Sequence, residues 1–160
     1  MIRRLQPDEV EALKSIRLES LATDPAAFCS TFDGESALPE AEWRARAQRG
    51  GESDHQAVFV LDLGKLRDII GVVLVEPDHA DIWGVFVAPE ARGQGWARKL
   101  VEAGLAWARQ TGATRVTLEA NAALEPALAL YQATGFQPDG RRRKLGEKDL
   151  LGFTKKSPPK

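Results

Sequence analysis

The sequence predicts an α/β domain in which a sheet of short strands is flanked by helices. Three observations carry this. Apolar, β-branched runs at residues 58–61 and 69–75 lead into a third run at 80–87; one long amphipathic pattern follows at 95–111; and a strand, a short helix and a hairpin close the chain. The 160 residues are 43% hydrophobic and 28% charged, which suits one ordinary globular core, expected over residues 1–154 with 155–160 as a frayed, flexible tail.

Ile2 to Leu5 reads as a first strand. Pro7-Asp8-Glu9 then opens a helix over residues 7–21, because Val10, Leu13, Ile16 and Leu21 recur at helical spacing. Thr23-Asp24-Pro25 stops it, and residues 24–38 carry Phe28, Phe32 and Asp33-Gly34 without a clear period, so a long loop is expected. Pro39 begins a second short helix, which Gly50-Gly51 ends. A turn at Gly64 joins the next two runs as an antiparallel hairpin, and the unbroken apolar character of 69–75 predicts a strand covered on both faces. Glu76-Pro77-Asp78 turns the chain into 80–87. In 95–111, Trp96, Leu100, Gly104 and Trp107 share one stripe, with Lys99, Glu102 and Arg109 mostly outside it. Residues 115–120 form a strand, 126–134 a helix ended by Gly135, and 136–153 a closing hairpin.

Composition also excludes. The formal charge of −1 supplies no global field for nucleic acid or an anionic membrane, so any anion must be held locally. No apolar run reaches the roughly 20 residues of a membrane span, and Met1-Ile2-Arg3-Arg4-Leu5 has no signal-peptide core, so a cytoplasmic protein is expected. Cys29 is the single cysteine, which rules out an internal disulfide and a cysteine-based metal cage. His55 and His79 lie in different segments and are read as surface or turn histidines, and no metal is expected.

Chemistry points to one segment. Val85-Phe86-Val87-Ala88-Pro89-Glu90-Ala91-Arg92-Gly93-Gln94-Gly95-Trp96-Ala97 joins an apolar strand to the amphipathic helix through a loop with two glycines. Free N–H groups at a helix start carry partial positive charge, and glycines let a phosphate approach the backbone, so a pyrophosphate is the natural guest. No phosphate-loop Gly-Lys-Ser/Thr ending exists, which removes a nucleoside triphosphatase. A dinucleotide fingerprint fits less well: Arg98 stands at its third glycine and residues 88–92 separate strand from glycines, although Glu119 ends the next strand where an acid could meet a ribose.

Arg92-Gly93-Gln94-Gly95-Trp96-Ala97 resembles the pyrophosphate loop of the GCN5-related N-acetyltransferase (GNAT) superfamily, Val85 to Glu90 resembles that family's fourth strand, and Ala127-Leu128-Ala129-Leu130-Tyr131-Gln132-Ala133-Thr134-Gly135-Phe136 resembles its Leu-Tyr helix with the strand start beyond it. The resemblance implies a mixed, mostly antiparallel sheet whose fourth and fifth strands splay apart, flanked by helices, with acetyl-coenzyme A as cosubstrate in the gap. Backbone groups of Val85, Phe86 and Val87 would pair with pantetheine. The backbone from Gly93 through Ala97, with Gln94 and Trp96 between, would hold the pyrophosphate, and Arg92 or Arg98 would add charge. Many relatives carry Asn at the position of Leu124; Asn121 either replaces that contact or caps the following helix.

The implied reaction is acetyl transfer to the primary amine of a small molecule, amino acid or peptide by direct attack. An alkylamine of pKa near ~10.4 must first lose a proton. Asp81 and Glu119 are the candidate bases, a backbone N–H at Phe86 or Val87 the oxyanion donor, and Tyr131 the acid for the departing thiolate. Phe28, Phe32, Glu35 and Trp43, from the part where this family builds its acceptor wall, are candidates to line that wall; satellite core packing is the other reading. Cys29 is read as a packed or loop residue, and Arg141-Arg142-Arg143-Lys144 as an edge guard or a contact for an anionic group. A homodimer is entertained as the assembly. The alternative from another class is a module that senses acyl-coenzyme A without transfer.

Overall fold

The computed structural model describes residues 1–156. They form one seven-stranded sheet in the order β1-β2-β3-β4-β5-β7-β6. The elements run β1 (Ile2–Arg4), α1 (Val10–Thr23), α2 (Phe32–Ser36), α3 (Glu40–Glu52), β2 (Gln56–Asp62), β3 (Leu66–Glu76), β4 (His79–Val87), α4 (Trp96–Gln110), β5 (Arg115–Asn121), α5 (Glu125–Ala133), β6 (Gln137–Leu145) and β7 (Lys148–Lys156). All neighbouring strands are antiparallel except β4 and β5.

Alternation along the strands divides the core in two. Ile70, Val72, Ala80 and Ile82 face α4, meeting Leu100, Val101 and Leu105, with Tyr131 of α5 in the same layer. Val58, Val60 and Ile69 face the other way, against Leu13, Ile16 and Leu21 of α1 and Ala47 of α3. β3 is therefore covered on both faces, as its continuous apolar run predicts. Each fully buried branched side chain contributes about 1.5–3 kcal/mol, so the central strands anchor the sheet.

Three local expectations change. Residues 24–38 are not a plain loop, because Pro25–Ala27 make a 3-10 turn and Thr31 caps α2 by accepting from the Gly34 N–H at 3.1 Å. α3 runs through Gly50-Gly51 instead of stopping there. The missing side chain serves packing: a Cβ on Gly50 would lie 2.7 Å from a Val58 methyl. At the other end of the chain, Lys155 and Lys156 belong to β7, and the Lys155 ammonium donates to the Thr134 carbonyl at 2.8 Å. The rest of the expected tail, 157–160, lies outside the described residues.

Two features of β4 position the site. Between Gly71↔Trp83 and Ile69↔Phe86, one residue of β3, Ile70, faces two of β4, Gly84 and Val85, a bulge that includes Gly84, whose φ of +71° suits glycine. Pairing with β5 covers only His79↔Arg115, Ala80↔Val116 and Asp81↔Thr117. Beyond that point the two strands separate.

Candidate active site

The separation opens a cleft of about 660 Å³, lined by residues 82–87 of β4, 118–121 of β5, Tyr131 of α5, residues 23–27, and the loop into α4. Tyr131 packs its ring edge against Phe136, centroids 6.2 Å apart, and burial pushes its phenol up to about 12.

At one end of the cleft the chain turns into α4 through Gly93 (φ +78°) and Gly95 (φ +81°), and nothing lies within 4 Å of where a Cβ would stand on either. Open space, glycine backbone and the first N–H groups of a 15-residue helix meet there, the arrangement an anion needs. Arg92 stands beside it. Its Nε donates to the Val87 carbonyl at 2.9 Å and its Nη2 to Asp24 at 2.5 Å. Arg98 is tied to Glu102 one turn on, while Gln94 stays out of the cleft lining and accepts from the Trp96 indole.

Residues 24–28 bridge the mouth of the cleft. Asn121 Nδ2 donates to the Ala26 carbonyl at 2.9 Å, and Lys148 Nζ donates to the Pro25 and Phe28 carbonyls. Asn121 Oδ1 also accepts from the Ala123 N–H at 2.9 Å, closing the turn before α5, so this side chain both shapes that turn and lines the cleft beside Leu124.

The two carboxylates behave differently. Glu119 lines the cleft, but Arg143 holds it at 2.7 and 2.8 Å and keeps its carboxyl below the usual range. Asp81 stands behind the lining at the apex, the last residue of β4 paired with β5. Burial pushes its carboxyl up, and a hydrogen bond from Thr117 at 2.8 Å opposes that shift.

The four residues expected on the acceptor wall do not line the cleft. Trp43 and Phe28 are buried, and Phe32 is exposed on α2. Glu35 is buried and accepts from Arg17 and Arg46, so it joins α2 to α1 and α3. Trp83, exposed on β4, and residues 23–27 are among the residues that do line it. Sequence reading also passed over Asp68. It lies opposite Val87, wholly buried with neither oxygen hydrogen-bonded, and burial pushes its carboxyl up to about 6. A lone Asp in a strand gives no sequence signal of that kind.

Residues 16–136 match the family model described as acetyltransferase (GNAT) family. The chain belongs to the GNAT family. A Bacillus subtilis protein named as a candidate ribosomal protein bS18-alanine N-acetyltransferase is 33% identical over 89 residues, which cover 56% of this chain and 58% of that one. The chain spans about half the length of the curated relatives it matches. Among solved structures, a GNAT acetyltransferase from Streptococcus pneumoniae superposes with a TM-score of 0.80 at 22% identity, covering 99% of both chains. A candidate acetyltransferase from Salmonella typhimurium, solved with acetyl-coenzyme A, also gives 0.80, at 16% identity over 100% of this chain and 95% of that one. These likenesses establish the GNAT fold. Among the described residues no helix is long and apolar enough to cross a membrane.

Proposed function

We propose that this GNAT chain transfers the acetyl group of acetyl-coenzyme A to a primary amine. The observation that carries the reading is the cleft itself. An unpaired stretch of β4 offers strand-like hydrogen bonds to pantetheine, and it leads directly to the open glycine loop at the α4 N-terminus, which suits the pyrophosphate. The bound thioester supplies an activated acyl carbon.

Residues of this chain do the rest. Asp81 is the base, acting through a water from behind the cleft lining, because its raised carboxyl accepts a proton more readily than Glu119, which Arg143 keeps ionised and occupied. As the amine nitrogen bonds to the acyl carbon and the carbon–sulfur bond breaks, a backbone N–H of Phe86 or Val87 meets the carbonyl oxygen. Tyr131 donates a hydrogen bond to the departing sulfur. With its phenol at about 12 and ordinary thiols near ~8.5, complete proton transfer is uphill, so the hydroxyl stabilises the thiolate while staying protonated.

The test is a panel of small amines, amino acids, polyamines, lysine peptides and peptide N-termini incubated with acetyl-coenzyme A, following free thiol and acetylated amine together. Peptides starting with alanine belong on it because of the name of the Bacillus relative. Equal amounts of thiol and product are expected with at least one class. Tight cofactor binding without turnover on any amine would make the chain an acyl-coenzyme A sensor.

A further inference from the structure

Where β4 and β5 still pair, alternate residues place His79, Asp81, Arg115 and Thr117 on one face of the sheet. Their side chains form a continuous line. Arg115 Nη2 lies 3.2 Å from His79 Nδ1, His79 Nε2 lies 2.7 Å from Thr117 Oγ1, and Thr117 Oγ1 donates to Asp81 Oδ1 at 2.8 Å.

The direction of every bond in this line is fixed by one member. A guanidinium only donates, so in the contact with Arg115 it is His79 Nδ1 that accepts, which leaves Nε2 as the nitrogen that donates. His79 then donates to Thr117, whose oxygen is occupied as an acceptor and whose own proton goes to Asp81 Oδ1. Thr117 is buried, which shields the bond from exchange with solvent. Among the described residues Asp81 Oδ2 accepts no hydrogen bond and is not sealed from solvent.

We propose that Thr117 and His79 are positioning residues for Asp81. Resting on the reading of Asp81 as base, this assigns Oδ1 to anchorage and Oδ2 to the acceptor's proton. His79 acts at one remove: it sets the hydroxyl rotor of Thr117, which otherwise has several orientations. His79 itself, on β4, and Arg141 on β6 also favour ionisation of the carboxylate through their charge, and Glu119 on β5 opposes it.

Titrating the Asp81 side-chain carboxyl by carbon NMR tests this without knowledge of the acceptor. Thr117→Val, nearly the same shape, removes the donor and should raise the titration midpoint by about one unit. Thr117→Ser should restore the parent value, and His79→Ala should shift it in the same direction by less. Because His79 works partly through Thr117 and partly by its own charge, the double variant should shift by less than the sum of the two single variants. A midpoint that Thr117→Val leaves in place, a failed serine rescue, or additive shifts in the double variant would each overturn the proposal, with melting curves verifying that every variant is folded.

The acid limb of kcat/KM for the fastest amine of the panel should move with the NMR midpoint, and Asp81→Asn should lower kcat/KM by about 100-fold or more. If Asp81→Asn turns over at the parent rate, or no amine reacts, the base reading fails and takes the positioning role with it. If Asp81→Asn is inactive while Thr117→Val moves neither midpoint nor limb, the base stands and the positioning role is wrong.

Discussion

Tyr131 shows how burial changes a residue's part in the chemistry. The family resemblance implies a proton donor, yet a phenol pushed up to about 12 gives up its proton reluctantly. Its useful contribution is a hydrogen bond to developing negative charge, of the size that changes a rate about tenfold. Tyr131→Phe is therefore expected to lower turnover about tenfold with little change in acetyl-coenzyme A affinity, since the ring keeps its contacts with Phe136 and Phe153. Single-turnover thiol release measured beside cofactor titration checks this. Asp68 makes a prediction about stability. Its folded pKa is raised, so its favourable contribution is complete below the unfolded value near ~3.9 and is lost as pH rises through about 6. Asp68→Asn should raise the melting temperature at pH 8 by about 2–8 °C, the effect of about 1–2 kcal/mol, and do far less at pH 5. A larger gain at pH 5 than at pH 8 would contradict that sign. Tyr131 was legible because it sits in a motif. Asp68 and His79 were not, since burial and partners depend on strands far apart in sequence, although the alternation of polar residues in Arg115, Thr117, Glu119 and Asn121 did mark a shared face.

At the scale of elements, the helical and sheet periods predicted every strand and every helix except α2, which lies in the stretch read as a loop, while the chain's punctuation was harder to read. Gly50-Gly51 looked like a helix stop because glycine usually is one, yet Gly50 lies close against Val58 of β2 and Gly51 close against Pro7, contacts that no local pattern records. The stretch 24–38 lacked a period because its order comes from caps and ion pairs. Glu35 is the clearest case. Burial alone raises its carboxyl, but hydrogen bonds led by Arg17, with Arg46 also contributing, hold it at about 2. Its folded pKa is depressed, so the stabilisation is complete above the unfolded value near ~4.3 and is lost as pH falls toward about 2. Glu35→Gln should cost about 3 kcal/mol at pH 7, lowering the melting temperature by about 6–12 °C, and the gap between variant and parent should narrow below pH 4. Thermal melts at pH 7 and pH 3 measure both; an equal gap at the two values would mean that the carboxylate is not what joins α1, α2 and α3.

For the whole molecule, composition and period gave the α/β class, but neither could give the splay between β4 and β5. That came from the resemblance, and the register places its physical origin in a ladder that ends at Asp81↔Thr117 beside the Gly84 bulge. The cleft, the helix start and the bridging segment 24–28 all follow from that one divergence, and the claim that it houses acetyl-coenzyme A rests on the glycine loop being empty of side chains. The most direct measurement is the melting temperature of the parent and of Gly95→Glu with and without acetyl-coenzyme A. At a hundred times its dissociation constant the ligand stabilises by about 2.7 kcal/mol, a rise of about 5–11 °C for the parent. Gly95→Glu places a side chain and a negative charge in the phosphate path, and there the rise should vanish while the unliganded protein still unfolds cooperatively. An undiminished rise in a folded Gly95→Glu variant would contradict the assignment of this loop to the cofactor.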